Sequence, residues 1–107
     1  MRITITDLRN VVRRMNRILT IEAGGNADTG LVEYFTISCA YGGYQLCNSD
    51  GSRNVLNTGH IKARDAYEIW HAYCYAMETA FNAIDRLPNG PHKESARAAL
   101  VAAYGRK

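Results

Sequence analysis

Long apolar runs, paired cysteines and prolines are scarce in this sequence. No apolar stretch approaches the ~18 residues that a membrane helix needs, which excludes a spanning segment. The opening, Met1-Arg2-Ile3-Thr4-Ile5-Thr6, has no apolar core long enough for a secretion signal. The three cysteines, Cys39, Cys47 and Cys74, are an odd number with no Cys-x-x-Cys pair. That argues against a disulfide framework and for a reducing cytosol, each thiol serving as a small buried hydrophobe. Hydrophobic residues at 47% and charged residues at 21% exclude wholesale disorder. The 107 residues suit one domain, 1–107, able to remove roughly 60–70% of its unfolded surface from water.

What is present is unevenly placed. The formal charge is +3, but residues 1–20 hold five arginines (Arg2, Arg9, Arg13, Arg14 and Arg17) against Asp7 alone. The remaining 87 residues hold eight basic and nine acidic groups, so the excess positive charge sits at the N-terminal end. Ten of the 13 basic residues are arginine, whose planar fork suits phosphate and carboxylate.

Thr6 reads as a helix N-cap with Asp7 in the first turn. Leu8, Val11, Val12, Met15, Ile18 and Leu19 recur at helical spacing, which predicts an amphipathic helix over about residues 6 to 20. Arg9, Arg13 and Arg17 are four apart and line up on its other side. A glycine-rich loop at 22–30 follows. Residues 31–40 alternate as a strand, with Leu31, Phe35, Ile37 and Cys39 on one face and Glu33 as the exception. Gly42-Gly43 between Tyr41 and Tyr44 signals a hairpin turn, with a second strand at about 44–48. Asp50-Gly51 signals another turn, with a short third strand at about 53–57. Residues from about 62 to 86 read as one long helix with Ile69, Trp70, Tyr73, Met77, Phe81 and Ile84 as its stripe. Pro88-Asn89-Gly90-Pro91 interrupts it. An Ala-rich helix at about 92–104 shows a thin apolar side of Ala96, Leu100, Ala103 and Tyr104. It either packs on its own domain or stands as an appendage awaiting a partner, a second copy of the chain included. The expectation is an α+β fold: an N-terminal helix, a small antiparallel meander of two or three strands, a long covering helix and a short C-terminal helix.

Four constellations could carry chemistry. The row Arg9, Arg13 and Arg17 could contact an acidic protein or phosphates, or could simply be a solvated face. Tyr34, Tyr41 and Tyr44 cluster around the hairpin and suit an interface, base stacking or core edges. Metal ligation would need His71 and Cys74 on one helix face, with Cys39 and Cys47 adjacent across the strands. Nucleophilic catalysis would need one of the cysteines beside His60 or His71. No spacing demands either of the last two, so no metal, cofactor or catalytic activity is expected.

Three stretches taken in order resemble a group of small bacteriophage and prophage proteins. They are Met15-Asn16-Arg17-Ile18-Leu19-Thr20, then Tyr41-Gly42-Gly43-Tyr44-Gln45-Leu46, then Gly59-His60-Ile61-x-x-Arg64-Asp65-x-Tyr67. The resemblance covers roughly residues 8–80. The chain departs from it in the C-terminal helix and in Ala63, where the group has proline near the helix start. What the resemblance implies is a phage-encoded, non-enzymatic binding protein that inhibits a complex in the cytoplasm of a bacterial host. The target would be a host protein or ribonucleoprotein, most of all an immune system, as with anti-CRISPR proteins. The contacts expected for it are Arg9, Arg13, Arg17, Tyr34, Tyr41 and Tyr44. A nucleic-acid-binding accessory protein using the same arginine row is the alternative.

Overall fold

A computed structural model describes residues 2–49, 54–56 and 58–105. The element order is α1 (Ile5–Glu22), β1 (Phe35–Ala40), β2 (Gly43–Asn48), α2 (Ala63–Asp85) and α3 (Pro91–Tyr104). This is the expected α+β layout, with a two-stranded antiparallel sheet. No helix among the described residues is long and apolar enough to cross a membrane.

Helix α1 starts two residues earlier than the Thr6 signal suggested. Thr4 is the N-cap: its hydroxyl accepts from the Asp7 amide while the Asp7 carboxylate accepts from the Thr4 amide at 2.8 Å. This reciprocal pair satisfies two amides of the first turn, which Thr6 could not do from inside the helix. The apolar stripe buries Leu8, Val11, Val12, Met15 and Leu19. Helix α3 opens with Pro91 after Gly90, whose φ of 149° is reserved to glycine, so the break before it falls where the sequence placed it.

The hairpin differs from expectation in register. Cross-strand partners run from Phe35↔Asn48 to Ala40↔Gly43, so the two turn residues are Tyr41 and Gly42. Both have positive φ, 54° and 74°, as a type I′ turn requires. Gly43 belongs to β2 for another reason. A Cβ there would lie 2.9 Å from the His60 backbone, so glycine lets the 60–61 segment lie against the strand. Residues 31–34, expected as strand, are not: the Tyr34 and Phe35 amides both donate to the Asn16 side chain instead. Of the expected third strand at 53–57, residues 53 and 57 lie outside the described residues, as do Asp50 and Gly51 of the turn before it. The described part gives only an isolated bridge, Cys47↔Asn54.

The long helix buries Ala66, Trp70, Cys74, Met77 and Phe81. Ile69, placed on the stripe by spacing, is exposed, and Cys74 takes the inward position instead. Trp70, Phe35, Phe81, Leu8, Met15 and Leu46 are among the large fully buried side chains where the hairpin, α1 and α2 meet. Each such side chain is worth roughly 1.5–3 kcal/mol of burial. Helix α3 is not an appendage. Leu100, Val101 and Tyr104 pack against this core, and the Tyr104 ring meets Tyr73 edge-on at 5.6 Å.

Candidate functional site

Helix α1 touches β1 at one end and stands off from it at the other. The contact end is Asn16. Its side-chain oxygen accepts from the Tyr34 and Phe35 amides at 2.9 Å each, and its amide donates to the Phe35 carbonyl at 3.2 Å. One turn on, Thr20 accepts from the Val32 amide at 3.0 Å and donates to the Asn16 carbonyl at 2.7 Å. These two residues staple the incoming chain to α1. Toward the N-terminus of α1 a cleft of about 440 Å³ opens between helix and strand. Ile5, Arg9, Val12 and Arg13 line it from the helix, and Leu31, Glu33, Ile37 and Cys39 from the strand side.

The arginines of the N-terminal end differ in their surroundings. Arg14 pairs with Glu78 of α2, and the hydrogen bond to that carboxylate raises the guanidinium pKa further. Arg17 reaches toward Asp28 at 3.9 Å. Arg9 and Arg13 are exposed and have no ion-pair partner among the described residues. The predicted row is therefore divided, with two members on the cleft and Arg17 turned to the 23–30 loop.

The three tyrosines do not join them, and none lines the cleft. Tyr34 is half-buried against the core, its ring so close to Gly105 that a Cβ there would lie 2.8 Å away. Tyr44 is half-buried, and its amide and carbonyl bond to Ile61 at 2.8 and 3.0 Å. Tyr41 stands fully exposed at the tip of the hairpin, its ring edge-on to His60 at 6.2 Å.

The strand edges complete the site. Tyr44 turns its backbone groups to Ile61, and the Leu46 carbonyl accepts from the Val55 amide at 3.0 Å. Both β2 residues therefore face away from β1, which makes Ile37↔Leu46 and Cys39↔Tyr44 the non-hydrogen-bonded pairs of the ladder. The amides and carbonyls of Ile37 and Cys39 consequently point out of the sheet toward the cleft side, with no partner among the described residues. At Phe35 the same edge is occupied by Asn16.

The other constellations separate. Cys39 and Cys47 lie on opposite faces of the hairpin, because Cys47 is opposite Thr36 and Cys39 is an odd step of three positions along the strand from Thr36. The cross-strand adjacency expected of them does not occur. Cys47 and Cys74 are buried, and burial raises both thiol pKa values, opposite to the shift that activates a nucleophile. His71 and Cys74 line a common small cavity with Arg14 and Glu78. Among the described residues no group of three His, Cys, Asp or Glu side chains could hold a metal ion. One pairing escaped the spacing argument: Ser38 Oγ and His60 Nε2 share a hydrogen bond of 3.0 Å across 22 residues of chain. It ties the hairpin to the segment before α2. Glu33, the exception in the apolar alternation, lines the same cleft as Arg9 and Arg13.

A small α+β domain with an arginine-lined cleft beside an unpaired strand edge is the class that fold and site define. No protein-family model, curated protein or solved structure matches the chain.

Proposed function

We propose that the chain is a non-enzymatic binding protein that engages a partner through the cleft between α1 and β1. The observation that carries this reading is the pair Arg9 and Arg13, exposed and without ion-pair partners among the described residues, beside the apolar Ile5, Leu31 and Ile37. A guanidinium against an apolar wall is the pattern of an interface more than of a solvated face. Tyr41 adds to it. A fully exposed aromatic held at φ 54° costs the fold roughly 1–2 kcal/mol and buries none of its surface, its ring meeting His60 edge-on.

A protein partner is favoured over nucleic acid because the arginine row is partly neutralised. With Arg14 on Glu78 and Arg17 near Asp28, the α1 arginines without a carboxylate partner among the described residues are Arg9 and Arg13, and Glu33 lines the same cleft. Two guanidinium groups make a small phosphate footprint, for which log K would fall with log salt with a slope of only about −2. The inhibition of a bacterial host complex, and a phage origin, rest on the sequence resemblance alone. In that role the cleft would occupy a surface that the host complex needs.

The test is capture from a bacterial lysate, nuclease-treated and untreated, by the tagged chain and by its Arg9→Glu/Arg13→Glu variant. A defined protein set held by the wild type after nuclease treatment, and lost by the folded variant, is the expected result. Capture that vanishes with nuclease assigns the arginines to nucleic acid. Identical capture by the variant removes the cleft from the account.

A further inference from the structure

We propose that the outer edge of β1 takes up an extended acidic peptide segment of a partner protein as a third strand, its carboxylates against Arg9 and Arg13. This rests on the binding reading above and names what the cleft binds.

The hairpin has two outer edges, and the chain itself covers one. Ile61, Val55 and Asn54 lie along β2, two of them through backbone hydrogen bonds and Asn54 as a bridge. On β1, Asn16 satisfies Phe35 and stops there. The groups of Ile37 and Cys39, without partners among the described residues, supply two donors and two acceptors, the pattern that an added strand needs. Unpaired edges invite any strand, so the neighbouring charge decides which one is admitted.

That charge is spaced for a strand. Arg9 and Arg13 are four residues apart on α1, an axial rise of about 6 Å. Side chains on one face of an extended peptide recur every two residues, about 6.6–6.8 Å. An acidic-x-acidic segment therefore presents its carboxylates in near register with the two guanidinium groups, each able to pair bidentately. A helical acidic segment lacks a free backbone edge and cannot use Ile37 and Cys39. A second copy of the chain fits poorly: its own β1, Phe-Thr-Ile-Ser-Cys-Ala, carries no acid to set against the arginines. Arg9 and Arg13 outnumber Glu33 in the lining, so the charge at the cleft admits an acidic strand over an uncharged edge such as the chain's own β1.

The probe is a fluorescent peptide of alternating Glu and Val, about six residues long. It is compared with an isomer whose Glu and Val are segregated into blocks. Two further forms are N-methylated, one at every Val and the other at every Glu. Binding is read by anisotropy, and the contact by amide NMR shifts. The alternating peptide is expected to bind about tenfold or more tightly than the block isomer. One N-methylated form, and not both, is expected to lose binding, because only one edge of the peptide faces β1. Shifts are expected at Ile37 and Cys39, and Arg9→Gln/Arg13→Gln is expected to abolish binding without unfolding the chain. Equal binding by both N-methylated forms and the parent overturns strand addition but leaves an acid-binding cleft. Absence of peptide binding, while lysate capture still depends on Arg9 and Arg13, overturns this inference and spares the binding reading. Displacement of the peptide by oligothymidine at equal concentration overturns both. A dimer in solution with β1 protected and no peptide bound assigns the edge to a second copy and overturns the proposal.

Discussion

A cleft lies toward each end of α1, and the two contain arginine in different conditions. At the C-terminal end of α1, Arg97 of α3 reaches Glu22 at 3.1 Å, Asp85 at 2.9 Å and Glu94 at 3.2 Å. One guanidinium there joins α1, α2 and α3 through three carboxylates. At the other end, Arg9 and Arg13 have no carboxylate partner among the described residues. The same side chain thus serves architecture where acids from three helices converge, and is left to solvent or a partner where they do not. Charge counted along the chain does not separate these conditions. Charge paired in space does.

The comparison can be broken most forcefully at Asn16, which fixes where the α1–β1 cleft begins. Asn16→Ala strands the buried Phe35 amide and carbonyl together with the Tyr34 amide. It should cost about 2–3 kcal/mol in urea denaturation. Next in size is Arg97→Gln, which leaves Glu22, Asp85 and Glu94 facing one another. A clear fall in Tm is expected, with earlier exchange of α3 amides. Arg9→Gln/Arg13→Gln should leave stability within about 0.5 kcal/mol of wild type, and a Tm loss matching that of Arg97→Gln would erase the distinction. In the opposite direction, Tyr41→Asn should stabilise the hairpin by about 1 kcal/mol, since Asn accepts the left-handed conformation better.

The smallest expected effect is on pH dependence, and it sits in the second cleft. Burial, and then Asp85, raise the Glu22 pKa from its ordinary 4.5, more than Arg97 lowers it. A carboxyl raised in the folded state favours folding most when protonated. Its contribution is fully present below the ordinary value and is lost as pH rises through the raised one. Glu22→Gln should therefore match wild type at pH below about 4 and be at least as stable at pH 7. A loss of stability at neutral pH would show that the Arg97 pairing outweighs burial.

The elements were legible in the sequence because each has a local cause. The 3.6-residue stripe marks α1, the β-rich alternation marks β1, and Pro91 after Gly90 marks α3. What could not be read was set by contacts between elements. Gly43, rather than Tyr41, took a place in the strand because the 60–61 backbone passes beside it. Residues 31–34 left the strand because Asn16 and Thr20 satisfy their amides from α1. The stretches that carried the phage resemblance fall at these junctions. Asn16 and Thr20 staple the loop, Gly43 admits the crossing segment, and His60 and Ile61 bond to the hairpin. Those motifs therefore report the assembly of the fold, and shared motifs of that kind say little about what is bound. Of the residues singled out in the sequence, Arg9 and Arg13 stand together on the cleft, while Arg17 lies toward Asp28, Tyr34 and Tyr44 pack against the core and Tyr41 projects beside His60.

The measurement that bears most directly on the difference between the two clefts is amide NMR mapping of the isotope-labelled chain with its captured, nuclease-treated partner. The account predicts shifts gathered at Arg9, Arg13, Ile37 and Cys39, with Glu22, Asp85 and Arg97 unmoved. Shifts centred on the Arg97 cleft, with the β1 edge silent, would contradict it.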